Sequence, residues 1–284
     1  MLYTKFKSIS LIVIGLLLFF TVHSQNVQDS AKNEFSASLN FQSALHYLGR
    51  VDSLKSSGLF PAIGLKSKIG LYLNSTFIFI QNPATPLSYT GTILEAGYRF
   101  PYSKNFSGNV YYNHFLYKDK SVLAQSALKG QAGINTAYNN KIVNVNAGAD
   151  IKFSNQETDL GLTAGLDRLF LFTNIIDNAV LAINPSAYIY SGTHKFFKNV
   201  KKNNGIGLGN VLPSNSPSIE QARQFAILAY EVSVPLILVK GKFNAYISPA
   251  YVIPQNLVVV SGRPDLSERG DNLFYFTAGI GVRL

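Results

Sequence analysis

The sequence predicts an all-β chain closed into an antiparallel up-and-down transmembrane β-barrel of about 12 strands. Three observations predict it. Apolar and polar residues alternate with a period of two along nearly the whole chain beyond the first 24 residues, and that period sends successive side chains to opposite faces of a strand. The alternating stretches run about ten to fourteen residues, whereas strands in water-soluble proteins average about five or six and a tilted strand needs about nine to eleven to cross hydrocarbon. The connections between them are short on one side and longer on the other.

The N-terminus stands apart from this pattern. Lys5 and Lys7 precede an apolar run from Leu11 to Val22, followed by His23-Ser24-Gln25. A basic start, a short apolar core and a small residue make a signal peptide over 1–24, with the cut after Ser24. The run is too short for a spanning helix. Residues 25–33 then form a short periplasmic segment and 34–284 the barrel domain; a plug domain does not fit in so short a segment, which argues against an energy-coupled transporter of the plugged class.

Composition narrows the class further. The chain of 284 residues has no cysteine, which excludes a disulfide framework, a cysteine metal site and a lipidated N-terminal cysteine. Mean hydropathy is +0.12 and charged residues make up only 14%, against about 25% in ordinary soluble domains. Aromatics are plentiful, 16 Tyr and 20 Phe, with no Trp. The net charge of +10 could suggest nucleic acid, but no basic helix or aromatic-basic module supports that partner; an anionic lipid surface is the better use of the surplus.

Alternation places the strands at 34–48, 58–66, 69–81, 89–100, 106–118, 127–138, 141–153, 159–172, 179–192, 222–236, 242–254 and 272–284. The stretch around 142–153 is typical: Val143, Val145, Ala147, Ala149, Ile151 and Phe153 share one face, and Asn144, Asn146, Gly148, Asp150 and Lys152 share the other. The second strand is short and holds Pro61, which removes a ladder donor; without it the count falls to ten. With the N-terminus in the periplasm, the turns Ser67-Lys68, 101–105, Asn139-Asn140, 173–178 and 237–241 are periplasmic, and 49–57, 82–88, 119–126, 154–158, 193–221 and 255–271 lie outside.

In lipid an unpaired backbone group costs several kcal/mol, so the sheet must close and turn its apolar face outward. Aromatics on the outward parity gather toward strand ends, as headgroup contact requires. Phe35, Tyr98, Phe100, Tyr138, Phe170, Phe172 and Phe243 fall on the periplasmic side, and Tyr47, Phe77, Phe79, Phe153, Tyr251, Phe274 and Phe276 on the other.

The last strand, with Phe276, Ala278, Ile280, Val282 and Leu284 alternating, resembles the closing strand of bacterial outer-membrane β-barrel proteins, although Leu284 stands where that class has a terminal aromatic. The resemblance implies residence in the outer membrane of a Gram-negative bacterium, contact with outer-membrane lipid, and recognition of the final strand by the barrel-assembly machinery.

On the inward parity the sequence places Glu34, Glu95, Arg99, Lys129, Asp150, Lys152, Asp167, Glu231, Lys242 and Arg283, together with Tyr72, Tyr188, Tyr190, Tyr246 and Tyr275. The charges would line a channel or rigidify a narrow lumen as ion pairs; their balanced signs favour the second role, since a strongly selective pore biases one sign. The tyrosines would narrow the bore and could bind sugar-like solutes. The mature histidines, His46, His114 and His194, have no Ser or acid at the spacing of a hydrolase, and no metal-ligand spacing. No catalytic residue, metal or cofactor is assigned, and the chain is read as a non-enzyme. GIGLG at 205–209 lacks the strand-to-helix context of a phosphate cradle. The long loop carries the basic cluster Lys195, Lys198, Lys201 and Lys202, suited to an anionic headgroup, to an anionic ligand or to an inward constriction. The leading reading is a passive channel for small solutes. Its alternatives are a scaffold or interaction barrel with an occluded lumen, then an outer-membrane enzyme, and on fold a secreted sandwich.

Overall fold

The computed structural model describes residues 32–51, 54–100, 103, 105–117, 128–154, 157–175, 178–195, 217–262 and 267–284. The expected signal segment, Lys198, Lys201, Lys202 and 205–209 lie outside the described residues.

Twelve strands close into one antiparallel barrel. They are β1 (Glu34–Gln42), β2 (Ser57–Lys66), β3 (Leu71–Asn82), β4 (Thr85–Phe100), β5 (Phe106–Tyr117), β6 (Leu128–Tyr138), β7 (Asn144–Ser154), β8 (Thr158–Asp167, continued as Phe170–Thr173), β9 (Val180–Ile183, then Ser186–Gly192), β10 (Ala226–Ser233, then Leu236–Lys240), β11 (Phe243–Pro254) and β12 (Leu273–Arg283). Each pairs with its neighbour in sequence, and β12 pairs with β1 from Ser36–Arg283 to Gln42–Thr277, which closes the ring. Closure leaves no free edge around the wall.

Where strands break or bend, the residues explain it. The breaks in β9 and β10 fall at Pro185 and Pro235, which have no N–H to donate; their carbonyls still accept, from Arg168 N at 3.1 Å and Asn184 N at 3.0 Å. Pro61 does not abolish β2. Its pairing with β3 lapses over Phe60 and Pro61 and resumes at Ala62 in unchanged register, while Leu39 still faces Pro61 across β1. A bulge at the start of β6 pairs Leu128 with Ser154 and Gly130 with Phe153. Lys129 is the extra residue.

Four strand boundaries differ from the sequence expectation by four residues or more: β4 starts at Thr85 rather than at 89, β10 runs on to Lys240 rather than to 236, and two more follow. β1 ends at Gln42 rather than at 48, because the chain leaves the wall at Ser43 and folds a short hairpin, His46–Tyr47 against Arg50–Val51. β10 begins at Ala226 rather than at 222, because a seven-residue helix, α1 (Pro217–Arg223), precedes it.

One end of the barrel, the turn end, carries tight connections such as Ser67–Gly70 and Gly241-Lys242, where Gly70 (φ 94°) and Gly241 (φ 59°) take left-handed conformations that glycine adopts at no steric cost. The other end, the loop end, carries the hairpin, the α1 loop and the loop before β12. Outside, Leu39, Ile63, Leu65, Leu71, Leu73, Val110, Leu160, Leu162, Ile280 and many like them stand exposed. An apolar surface wrapped around a whole barrel needs lipid, since water tolerates only patches of a few hundred Å². Aromatic pairs mark both rims of this belt: Phe106–Tyr138 (centroids 5.0 Å apart) and Tyr98–Phe100 (5.7 Å) near the turn end, Phe79–Tyr89 (5.6 Å) and Phe41–Phe276 (5.9 Å) near the loop end. Tyr47 does not belong to that rim; it is buried inside the mouth, because the chain turned inward before reaching it.

Candidate functional site

The candidate site is the barrel interior, and its two halves are built differently.

Along the wall toward the turn end, four tyrosines each pair directly across the ladder with a glycine: Tyr72 with Gly97, Tyr111 with Gly133, Tyr188 with Gly165, and Tyr246 with Gly279. Each ring lies over its glycine so closely that a Cβ there would collide with it. A flat ring needs a neighbour without a side chain, and the glycine gains an apolar cover. Tyr72, Tyr111, Tyr188 and Tyr246 thus lie along the wall at their glycines, whereas Tyr190 and Tyr275 reach Glu231. Amides one or two strands round the barrel tie down the phenols. Asn109 Nδ2 donates to Tyr72 Oη (3.0 Å), Gln131 Nε2 to Tyr111 Oη (3.4 Å), and Tyr246 Oη donates to Asn40 Oδ1 (3.1 Å).

The lumen charges are mostly satisfied locally. Arg99 lies over the Tyr72 ring, 6.0 Å from its centroid. Asp150 pairs with Lys152. Asp167 accepts from Asn144 Nδ2 (2.9 Å) and Asn146 Nδ2 (2.6 Å). Glu231 accepts from Tyr275 Oη (3.0 Å) and Tyr190 Oη (3.5 Å). Glu95 faces inward at mid-wall, between Asn74 and Asn113 in the ladder. At the turn-end rim Arg283 approaches Glu34 at 3.9 Å, with half of the arginine side chain in solvent. Lys242 sits exposed in the turn before β11. Lys129 is not in the lumen: the bulge puts Leu128 in the inward place and leaves Lys129 exposed. His114, whose facing the sequence leaves ambiguous, points outward beside Tyr112.

Toward the loop end the interior changes character. Phe60, Ile78, Ile80, Ile93, Phe115 and Leu128, all on the inward side of β2 to β6, form an apolar cluster with Leu45 of the hairpin and Tyr117 beside it. Opposite this cluster the hairpin tip is held by charge. Arg50 is wholly buried. Its Nε meets Glu268 Oε2 at 3.2 Å, and its guanidinium donates to the carbonyls of Leu48 (3.2 Å), Leu228 (3.0 Å) and Gln255 (2.9 Å). Glu268 also accepts from Val258 N (2.8 Å) and is bonded to His194 Nδ1 (3.0 Å). Burial pushes the Glu268 carboxyl up, but the His194 hydrogen bond, the Arg50 charge and the Val258 N–H together hold it below the usual carboxylate range. Burial pushes the His46 imidazole down to about 4. Its Nδ1 accepts from Gly49 N (3.2 Å), and its ring meets the Tyr275 ring at 4.2 Å.

The His194–Glu268 pair has the form of a hydrolase dyad, yet its carboxylate is shared with Arg50 and Val258 N–H, and no serine or threonine hydroxyl is bonded to His194 among the described residues. It serves as a tie between loops. Lys195, the described member of the basic cluster, closes the end of β8: its N–H donates to Asp159 Oδ1 (2.6 Å) and its Nζ to Thr158 O (3.2 Å).

Sequence reasoning missed Arg50, Glu268 and Asp159. Asp159 shares the strand parity of Asp167 and was legible by that signal. Arg50 and Glu268 lie in connections, where no periodicity marks a buried residue.

Among solved structures, the chain is similar to a KdgM porin (12% identity, covering 88% of this chain and 98% of that one, TM-score 0.46). It is likewise similar to a NanC porin (10%, 88% and 100%, TM-score 0.46) and to LpxR from Salmonella typhimurium (9%, 87% and 99%, TM-score 0.47). No protein-family profile matches the chain, and no curated protein matches it in sequence. The functional reading therefore rests on the geometry of the chain itself.

Proposed function

We propose that this protein is an integral outer-membrane barrel through which small solutes pass passively, with the turn end in the periplasm and the hairpin of residues 43–51 setting the constriction at the outer mouth. The apolar belt supports lipid as its partner, and the tight turns at one end support that orientation. The last strand, paired on both sides in the closed ring, is the segment the assembly machinery would read. In this reading residues 1–24 are the cleaved export signal, and Glu95, Arg99, Asp150, Lys152, Asp167 and Glu231 line the path.

The observation that carries the channel reading is the set of four tyrosine–glycine pairs. They lay the bulkiest inward side chains flat along the wall and leave polar groups facing a shared axis. A barrel that only needed a filled core would use such rings to fill it.

The apolar cluster and the buried hairpin favour a second reading, a scaffold or interaction barrel with an occluded lumen. Single-channel recording of the refolded protein separates the two. Discrete steps, in the native chain or after shortening the 43–51 hairpin, are the expected result. Silence from both proteins at every voltage would reject the channel and leave the scaffold.

A further inference from the structure

We propose that residues 43–51 are a lid over the outer mouth that opens as a unit, with the Arg50–Glu268 ion pair as its latch. The proposal rests on the channel reading only for what the lid controls.

The two sides of the lid are attached in different ways. Its root joins the adjacent strands β1 and β2 and cannot leave: Ser43 N donates to Phe276 O (3.0 Å), Phe276 N to Ser43 Oγ (2.9 Å), and Leu45 N to Ser56 O (2.7 Å), while Leu45 packs into the apolar cluster. Its tip turns tightly at Leu48 and Gly49, both at positive φ (50° and 78°), and reaches across the mouth. There the His46 ring packs on Tyr275 and Gly49 on Pro254, while most of the polar contacts between the tip and other connections run through one side chain. Arg50 binds Glu268 and the carbonyls of Leu228 and Gln255, and the backbone adds Val51 N to Arg269 O (3.0 Å). Glu268 in turn gathers His194 from the α1 loop. One buried ion pair thus joins three separate connections. Removing Glu268 leaves Arg50 buried without its counter-charge, and removing Arg50 leaves the buried Glu268 with only His194 and the Val258 N–H; exposure to water relieves that cost only if the tip lifts. The root keeps its packing when this happens, which is the behaviour of a lid rather than of a dissolving plug.

The test compares full-length refolded protein with Arg50→Ala and with Glu268→Gln, reading amide exchange in 44–51 and bilayer conductance on the same preparations. Both variants should exchange about a hundredfold faster in the hairpin, with barrel strands unchanged, and should show larger or longer openings. In the Arg50→Ala background, Val51→Cys with Arg269→Cys puts a thiol on each of two residues whose backbones are hydrogen-bonded beside the antiparallel Arg50–Gly270 bridge. The chain has no other cysteine. Oxidation should return exchange and conductance to native values, and reduction should release them. Native exchange rates in both variants would overturn the latch, as would acceleration spread equally over the barrel. Fast, localised exchange with no conductance in any variant supports the latch and sinks the channel reading.

Discussion

The two ends of the lumen obey one strand parity and reach opposite results. Near the turn end the inward positions hold Tyr72, Gly97, Asn109 and Asn135, so the wall is polar, flat and hydrogen-bonded sideways. Near the loop end the inward positions of the same strands hold Ile78, Ile80, Ile93 and Phe115, so the interior is a small hydrophobic core closed by Leu45. A barrel wall does not decide what its inside becomes. Whether a stretch of lumen stays a path or becomes a core depends on whether a connection folds in to cover it. An apolar inward side chain is tolerable only where something dry meets it.

The strongest way to break this contrast is Phe60→Ala. It removes one of the two phenylalanine rings of the loop-end core and should cost about 3–5 kcal/mol of unfolding free energy, measured by denaturant titration in lipid or micelles. A loss below about 1 kcal/mol would mean the cluster is wet, and the two halves alike.

Acid sharpens the same contrast. His46 is held neutral in the folded mouth, with its pKa lowered to about 4, while in the unfolded chain it titrates near 6.5. The unfolded state therefore binds the extra proton between those values. The contribution is complete above about 6.5 and is lost as pH falls toward about 4, amounting to about 3 kcal/mol. Glu268, held below the usual range, keeps its charge through most of that window. Hairpin amides, each referred to its intrinsic exchange rate at the same pH, should thus be less protected at pH 4.5 than at pH 7, a difference that His46→Phe removes. Equal pH sensitivity in native protein and His46→Phe would detach the effect from this side chain.

The smallest expected effect concerns the turn-end wall. Gly165→Val pushes the Tyr188 ring off its seat and into the lumen, at a cost of about 1–3 kcal/mol from overpacking. Step conductance should fall, while hairpin exchange stays native. A variant with unchanged conductance would show that this ring does not border the path.

Much of the architecture was readable in the chain order of residues. Twelve strands and their facing follow from period-two patterning, because each Cβ is forced to the opposite side from its neighbour; the connections are less regular, since the expected outer loop at 82–88 shrinks to Pro83-Ala84. Asp150, Lys152, Asp167, Glu231 and Tyr246 were placed on the inner wall by that rule alone, and their ladder partners, Gly161, Asp159, Asn144, Val252 and Tyr188, and Gly279, are the residues opposite them in register. The rule failed at Lys129, where one bulged residue shifts the parity, and at Tyr47, where the strand had already ended.

What the sequence determined by itself is what local stereochemistry controls: extended segments, their two faces, and a surface too greasy for water. Only the tertiary structure decided that the first long connection folds inward, that Arg50 meets Glu268 from 218 positions away, and that each tyrosine lies over its own glycine. Those outcomes depend on which distant groups close the ring side by side, and on which of them can shed water together.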